Sequence, residues 1–217
     1  MTSASERLAA LRRSYELGSL DVPDVDPDPL TQIGRWLAQA TEAGIVEPNA
    51  MVLATADADG TPSARTVLLK GLDEHGLVFF SQRRSRKGRA LLGDPRAGLV
   101  FPWHAMDRQV TVVGTVEEVG REQTAAYFDS RPWGSRIAVW ASDQSQVLGS
   151  RAELEGEWAR LAEQWPEGAR VPLPEHWTGF RVVPLTVELW QGRRDRLHDR
   201  LRYRRAGSSW MIERLAP

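Results

Sequence analysis

The hydrophobic and polar positions follow a helical period near the start of the chain. The stretch ERLAALRRSYELG, at about residues 5–17, has the spacing of a short amphipathic helix, and the acidic, proline-rich DVPDVDPDPL after it excludes regular structure. LTQIGRWLAQATEAG predicts a second helix, with Ile33, Leu37 and Ala40 on one face and a glycine stop at Gly44. The first helix is therefore expected to be a loosely attached arm.

From residue 51 the hydrophobic period shortens to that of β-strands. MVLATA, TPSARTVLLK and LVFFS, separated by turns that contain Asp and Gly, predict an antiparallel meander of three strands. Four further strands are predicted in RAGLVFPWH, RQVTVVGTVEEV, FRVVPLTVELWQ and SSWMIERL. Two more helices are expected, one in SRKGRALLGDP and one from about Ser150 to Gln164. The many strands and short connections favour a barrel or a sandwich.

Length and hydropathy bound the class of protein. With 217 residues, 41% of them hydrophobic, the chain can build one large domain, which we expect at 30–217 after a mobile N-terminal segment and linker at 1–29. No apolar run reaches the ~18 residues of a membrane helix, and the N-terminus lacks the apolar core of a secretory signal. A soluble cytoplasmic protein without a membrane partner is therefore expected.

Charge and residue types argue against several kinds of site. Lys plus Arg total 28 against 29 Asp plus Glu, so a nucleic-acid partner is disfavoured. The chain contains no cysteine, and its four histidines are scattered, so neither thiol chemistry nor a metal site is expected. Only Lys70 and Lys87 are lysines, which indicates either a preference for arginine or two positions that need a compact ammonium group.

A dense group of cations lies near the C-terminus, in RDRLHDRLRYR at residues 194–204. If residues 196–204 form a strand, alternate residues point to one face, and that face is wholly cationic. The stretch alone leaves two interpretations open, a solvated edge strand whose charges discourage aggregation and a pocket wall for an anionic ligand. The residues on this face are Arg196, His198, Arg200, Arg202 and Arg204.

Other stretches also have residue types that suit a phosphate ester. RTVLLK has a cation at each end of a predicted strand, and SQRRSRKGR places Ser85, Arg86 and Lys87 where a helix begins and its free amides favour anions. YFDSRPWGS combines hydroxyl groups with an arginine around a proline turn. Each signal is weak alone, because charged strand ends and polar helix ends are usually only solvated. Side chains of the kind that bind a flat heteroaromatic ring occur at Gln144, Ser145 and Trp190.

Taken together, these segments resemble a known family. RTVLLK, FFSQRRSRKG, FPWH with RQV, YFDSRP, SDQS, WQG with RLHDR, and the terminal ERLAP occur in the order and spacing of the pyridoxine/pyridoxamine 5′-phosphate oxidases. The resemblance runs from about residue 10 to residue 217. It implies an α+β fold of mainly antiparallel strands, the FMN-binding split β-barrel, which is Greek-key-like with peripheral helices.

The resemblance also implies an activity and an assembly. The activity is the FMN-dependent oxidation of pyridoxine or pyridoxamine 5′-phosphate to pyridoxal 5′-phosphate, with dioxygen as the oxidant and hydrogen peroxide as a product. The assembly is a homodimer with FMN at the subunit interface. Arg196 and His198 resemble the catalytic pair over the substrate ring.

The family pattern further assigns binding residues. FMN contacts of one subunit correspond to Arg65, Thr66, Val67, Leu68, Leu69, Lys70, Phe80, Ser81, Arg86, Lys87 and Gln109. Contacts from its partner correspond to Gln144, Ser145, Trp190 and Arg200. Substrate contacts correspond to Lys70, Tyr127, Arg131 and Ser135 at the phosphate, Arg196 and His198 at the ring, and Arg12 and Tyr15 in a closing N-terminal segment. Phe80 and Ser81 depart from the Tyr and Thr that the family often has, so one hydroxyl contact to FMN is not expected from Phe80, while Ser81 can keep the other.

Two other functions fit the same residues. A sister flavin oxidase of the phenazine-pathway type would keep the FMN residues and act on a tricycle without phosphate. A non-catalytic flavin or pyridoxal-phosphate binding module would use the same pocket without turnover. The presence of Lys70, Tyr127, Arg131 and Ser135 favours the phosphate ester, and turnover with dioxygen would exclude the binding module.

Overall fold

The computed structural model describes residues 3–11 and 14–217, and the chain divides into two compact units. The first unit comprises Met1–Pro48, Val100–Val112 and Leu185–Pro217. The second comprises Asn49–Leu99 and Val113–Pro184. The expected domain boundary between residues 29 and 30 stays a prediction. No helix of the described ranges is long and apolar enough to cross a membrane.

The described residues form an α+β fold. The helices are α1 (Ala4–Ala10), α2 (Pro29–Glu42), α3 (Arg86–Gly93), α4 (Arg121–Ser130), α5 (Trp133–Ala141) and α6 (Arg151–Gln164). The strands are β1 (Ala50–Ala56), β2 (Pro62–Leu68), β3 (Gly71–Asp73), β4 (Gly76–Gln82), β5 (Arg96–Trp103), β6 (Arg108–Glu118), β7 (Trp177–Gln191), β8 (Asp199–Ala206) and β9 (Ser209–Arg214). Short 3₁₀ turns lie at Val22–Asp24, His104–Met106 and Arg194–Arg196.

The two predicted N-terminal helices differ in outcome. Helix α2 is confirmed: the Asp28 carboxylate accepts the Thr31 N–H at 2.8 Å, and Gly44 ends the helical segment with a left-handed φ of 72°. Its buried face uses Trp36 rather than Leu37. Helix α1 ends at Ala10 and buries none of its residues, so the prediction that it continues to about residue 17 is wrong. Without buried contacts, so short a helix has little to extend it.

In the second unit, strand pairing differs from the predicted meander. Strands β1 and β2 form the expected antiparallel hairpin, from Ala50 opposite Leu68 to Ala56 opposite Pro62. Strand β4 pairs instead with β3 and with the distant β7, where Gln82 lies opposite Trp177. Almost every residue of β4 is buried, as a continuous apolar strand with neighbours on both sides requires. The third strand of the predicted meander is therefore wrongly placed.

The adjacent helices α4 and α5 were not predicted as helices. Only two residues of α4, Thr124 and Phe128, are buried, so its hydrophobic period is weak. Both helices contribute to a buried cluster of the second unit, to which α6 and the start of β7 also contribute. The cluster consists of Phe128, Ile137, Val139, Leu161, Val171 and Trp177. This cluster supports the short connection between α4 and α5.

In the first unit, the C-terminal half of β7 pairs with β8, and β8 pairs with β9. The buried Tyr203 of β8 donates its hydroxyl hydrogen to the carbonyl of Asp26 at 2.7 Å. The strand predicted over residues 196–204 begins only at Asp199, because residues 194–196 form a 3₁₀ turn. Arg196 and His198 are therefore not part of the strand face that carries Arg200, and the prediction of one continuous face is wrong.

Candidate functional site

A cavity of about 730 Å³ lies in the second unit. Its walls come from β2, β4, the first turn of α3, helices α4 and α5 with their connection, and the segment after α5. Most residues that the resemblance assigns to FMN or to the substrate phosphate line this one cavity. They are Arg65, Thr66, Val67, Leu68, Lys70, Phe80, Ser81, Arg86, Lys87, Tyr127, Arg131, Ser135, Gln144 and Ser145.

The turn from β4 leads into helix α3 at the position expected from the sequence. Ser85 caps the helix: its Oγ accepts the Gly88 N–H at 3.2 Å and donates to the carbonyl of Gln82 at 2.8 Å. The cap fixes Arg86 and Lys87 in the first helical turn, where the helix dipole favours negative charge. Local sequence thus determines where these two cations lie.

Lys87 is a buried cation whose neighbours are neutral oxygens. Its side chain is 9% exposed, and its Nζ donates to Gln144 Oε1 at 2.8 Å and to Ser81 Oγ at 3.1 Å. Burial, and then the charge of Arg65, lowers the pKa of Lys87 to about 8. Since no carboxylate offsets this charge among the described residues, a bound anion would stabilise the protonated form.

The two arginines near Lys87 differ in their partners. Arg65 donates through Nη1 to the carbonyl of Leu53 at 3.1 Å and to Thr55 Oγ1 at 2.8 Å, and through Nη2 to Ser63 Oγ. Burial, and then the charge of Arg86, lowers the pKa of Arg65. Arg86 is instead held by the carboxylate of Asp57, at 2.7 and 3.0 Å. Arg65 therefore keeps more of its charge available for a ligand.

The substrate-phosphate residues cluster around the connection between α4 and α5. Tyr127 and Ser135 lie on the two helices, and Arg131 lies between them. Burial lowers the pKa of Arg131 and raises that of Tyr127. The Nη1 atom of Arg131 is buried without a hydrogen-bond partner among the described residues. A buried donor without a partner carries a desolvation cost, and an anion could relieve it.

The segment after α5 is fixed to β4 by one amide side chain. The Nε2 of the buried Gln82 donates to the carbonyls of Val139 at 3.1 Å and Ser142 at 2.6 Å, and its Oε1 accepts the Gln144 N–H at 3.1 Å. Gln144 and Ser145 consequently line the cavity that contains Arg65 of the same chain. The resemblance assigned these two residues to a second subunit, and that assignment stays a prediction.

Several other predicted residues lie in the first unit, where three rings meet. The His198 ring lies 4.6 Å from that of Trp190 and 5.5 Å from that of Tyr15, centroid to centroid. His198 Nδ1 accepts the Arg193 N–H at 3.1 Å. Burial, and then the charge of Arg196, lowers the pKa of His198. The neutral ring therefore carries its proton on Nε2, where it can act as a donor.

A second cavity, of about 870 Å³, lies in the first unit. Gln109, Tyr15 and Trp190 line it together with His104. Arg196 is exposed and adopts a left-handed φ of 62°, an uncommon conformation for a residue other than glycine. The structure thus groups Gln109 with the first-unit residues and not with the FMN residues of the second-unit cavity.

Three predicted residues lie elsewhere. Leu69 does not line the second-unit cavity and is buried in the core. Arg200 makes an ion pair with Glu188 on the neighbouring strand, at 2.8 Å. Arg12 lies outside the described residues.

Sequence reasoning missed other residues that line the second-unit cavity. Ser63 lies two positions before Arg65 on β2, so it shares a strand face with a predicted site residue. That parity could have identified it. Gln82 and Trp177 also line the cavity, and their partners lie far away in the sequence. No local pattern distinguishes these two from ordinary core residues.

Comparisons with known proteins identify the family. The family profile described as pyridoxamine 5′-phosphate oxidase matches residues 37–165, and that of the pyridoxine 5′-phosphate oxidase C-terminal dimerisation region matches residues 177–217. The chain is 53% identical over 214 residues to the pyridoxine/pyridoxamine 5′-phosphate oxidase of Streptomyces avermitilis, covering 96% of both. It is 54% identical over 215 residues to that of Thermobifida fusca, covering 96% of this chain and 97% of the relative.

Solved structures agree in fold. PhzG from Burkholderia lata, in complex with tetrahydrophenazine-1-carboxylic acid, superposes with a TM-score of 0.85 at 33% identity, covering 92% of this chain and 100% of its own. A pyridoxamine 5′-phosphate oxidase-related, FMN-binding protein from Nostoc punctiforme superposes with a TM-score of 0.69 at 18% identity, covering 84% and 96%. The expected split-barrel fold is confirmed, and the chain belongs to the pyridoxine/pyridoxamine 5′-phosphate oxidase family.

Proposed function

We propose that this protein is an FMN-dependent oxidase that converts pyridoxine 5′-phosphate or pyridoxamine 5′-phosphate to pyridoxal 5′-phosphate. The family membership and the relatives' shared name support the reaction. The observation that carries the proposal is the second-unit cavity, in which two cations lack carboxylate partners among the described residues. They are Lys87, which is buried, and Arg131, which is half-buried.

The residues of this cavity fit FMN. Its ribityl phosphate needs cations and donors, and Arg65, Lys87 and the capped start of α3 provide them. The Oγ of Ser81 offers one further hydroxyl group, while Phe80 offers none. Bound FMN would supply two-electron chemistry: it would accept a hydride while the substrate also loses a proton, and two electrons and two protons would then reduce dioxygen to hydrogen peroxide.

The chain's own contribution begins with the substrate phosphate. Two cations and two hydroxyl groups in the lining of the second-unit cavity are available to it: Lys70, Tyr127, Arg131 and Ser135. Holding the phosphate fixes the substrate's exocyclic carbon, so binding energy from a remote group becomes orientation at the reacting centre. A substrate without phosphate should therefore lose turnover as well as affinity.

Arg196 and His198 are proposed to position the substrate ring. Because His198 Nδ1 accepts a backbone N–H and its pKa is lowered, the neutral ring donates through Nε2 at neutral pH. In this state His198 holds a substrate oxygen or nitrogen and does not itself remove a proton. Tyr15 and Trp190 limit the ring's rotation by packing against it.

A homodimer is part of the proposal. Residues 177–217 match the dimerisation region of the family, and they include Trp190, Arg196, His198 and Arg200. We propose that these residues complete the active site in the dimer, with FMN at the subunit interface. Loss of the dimer should then abolish turnover.

The test is the visible spectrum of the purified protein with FMN, recorded without oxygen before and after addition of pyridoxine 5′-phosphate, and again in air. Bleaching followed by recovery, with hydrogen peroxide formed, is the expected result. Free FMN without protein and unphosphorylated pyridoxine are the controls. Flavin that binds but does not bleach would contradict the proposed substrate, and no flavin binding would contradict the proposed cofactor.

A second candidate follows from the solved structure of PhzG. Its TM-score of 0.85 supports a sister flavin oxidase acting on a tricyclic substrate. The sequence identity to the pyridoxine/pyridoxamine 5′-phosphate oxidase of Streptomyces avermitilis is higher, at 53% against 33% for PhzG. The same anaerobic experiment separates the two, because a dihydrophenazine carboxylate would bleach the flavin where pyridoxine 5′-phosphate would not.

A further inference from the structure

Trp177 lies at the junction of the strands and helices that build the phosphate pocket. It is 4% exposed, begins β7, and lines the second-unit cavity with its neighbour across the sheet, Gln82. Its backbone is held by Arg121, whose Nη1 donates to the carbonyls of Trp177 at 3.2 Å and Pro174 at 3.1 Å. Arg121 thus holds the backbone that carries the indole ring.

Three aromatic rings in the pocket are nearly parallel. The Tyr127 and Phe80 rings are 4.0 Å apart at an angle of 17°, and the Trp177 ring is 5.3 Å from Phe80 and 6.0 Å from Tyr127. Gly179 lies opposite Phe80, and a Cβ there would come within 2.7 Å of the Phe80 ring. The glycine therefore leaves space for the ring contacts that fix Tyr127.

The guanidinium of Arg131 lies over the same indole, with its carbon 5.2 Å from the ring centroid. A carboxylate in that place would occupy the N–H groups of Arg131 and cancel its charge. An aromatic face attracts the cation and leaves both the charge and the N–H donors available. This difference matters at a site whose ligand is an anion.

We propose that Trp177 is a positioning residue for the substrate phosphate. Its ring holds Tyr127 through stacking and Arg131 through a cation–π contact, and the phosphate then binds to groups that are already in place. This inference rests on the proposed function, since it concerns the phosphate that the substrate carries. In this proposal Trp177 acts through Arg131 and Tyr127 and takes no part in the chemical step itself.

A purely structural Trp177 predicts different behaviour. The residue also contacts Phe128 edge-on within the buried cluster, at 5.3 Å, so its removal should lower stability under either view. A packing role alone would not raise KM for the phosphate ester selectively. It would also not depend on whether Arg131 is present.

The experiment uses the FMN-loaded enzyme and the variants W177L and W177F. For W177L we expect KM for pyridoxine 5′-phosphate, and Ki for inorganic phosphate, to rise about tenfold while kcat changes by less than about threefold. W177F keeps an aromatic face and should recover most of the affinity. The control is W140L, because Trp140 packs on Trp165 and does not line the cavity, so KM should stay unchanged.

The same substitutions in an Arg131→Ala background test whether Trp177 acts through Arg131. If it does, the further increase in KM on adding W177L should be less than about twofold. The inference would be overturned if W177L alone left KM unchanged, or if W177L still raised KM by the full tenfold in the Arg131→Ala background. If W177L does not fold, W177M, which also lacks an aromatic ring and has a more adaptable side chain, replaces it and is judged by the same criteria. Failure of the unaltered enzyme to oxidise pyridoxine 5′-phosphate would instead overturn the proposed function.

Discussion

Two groups of cations in this chain have opposite surroundings. On β8, Arg200 pairs with Glu188 at 2.8 Å, Arg202 with Glu213 at 2.6 Å, and Arg204 with Glu213 at 3.4 Å. In the second-unit cavity, the side-chain partners of Lys87 are amide and hydroxyl oxygens, and Arg131 lies over an indole ring. The first group is neutralised by carboxylates on neighbouring strands, whereas the second keeps its charge.

This difference shows why density of charge along a sequence is a poor guide to an anion site. RDRLHDRLRYR and SQRRSRKGR each have five Lys or Arg residues, yet much of the charge of the first stretch is used within the sheet. Lys87 lies in the second stretch, whereas Arg131 has no other cation within four residues along the chain. Their burial without a carboxylate makes each of them unfavourable alone and favourable with an anion bound.

The largest expected effect is on FMN affinity after Lys87→Met. The change keeps the length of the side chain and removes its charge, so a charge-assisted hydrogen bond worth about 2 to 3 kcal/mol is lost. We expect Kd for FMN to rise about 30- to 100-fold, measured by quenching of flavin fluorescence. Arg202→Gln on the paired face is the control and should leave Kd unchanged. Equal effects of the two substitutions on Kd would contradict the difference between the paired β8 cations and the cations of the cavity.

The pH dependence of FMN binding should also depend on the protonation of Lys87. The anion binds the protonated form of Lys87, whose pKa without ligand is about 8. FMN affinity should therefore be constant from about pH 7 to about pH 8 and fall above it, by up to about tenfold per unit. The decline should stop where the pH exceeds the pKa of Lys87 in the complex, which the bound anion raises. A titration from pH 7 to 9.5 with K87M alongside tests this. A decline of the same size in K87M would contradict the assignment to Lys87.

The stability of the FMN-free protein should change in the opposite direction. The pKa of Lys87 is about 8 when folded against 10.5 ordinarily, so between these values the unfolded chain binds more protons and stability rises with pH. Below pH 8 the full cost of the buried charge is present. We expect K87M to be more stable than the unaltered protein at pH 7, by about 1 kcal/mol or more, in urea unfolding. A less stable K87M would contradict this account.

The smallest effect is expected on the paired face. Glu213→Gln removes the carboxylate that Arg202 and Arg204 share, and these are partly exposed ion pairs. Their loss should cost less than about 1 kcal/mol of unfolding free energy and leave FMN affinity within about twofold. Urea unfolding and flavin titration of the same sample measure both. A larger change in FMN affinity would show that Arg202 or Arg204 contributes to the cofactor site.

The sequence by itself determined the features that depend on neighbours along the chain. The Ser85 cap, the cations of the first turn of α3, and the β1–β2 hairpin with Arg65 on it follow from turn, capping and alternation patterns within a few residues. These contacts form between groups that the chain necessarily brings together. The family motifs added the candidate cofactor and substrate residues, because the order of the motifs along the chain is itself a signal.

Only the tertiary structure decided which charges remain available and what holds them in place. Glu188 and Glu213 reach the β8 arginines through strand pairing, and Gln82 fixes the segment of Gln144 from about sixty residues away. Trp177 meets Arg131 through the pairing of β4 with β7 and the packing of α4. Such contacts depend on which distant elements are buried together, and a local pattern of residues carries no information about that choice.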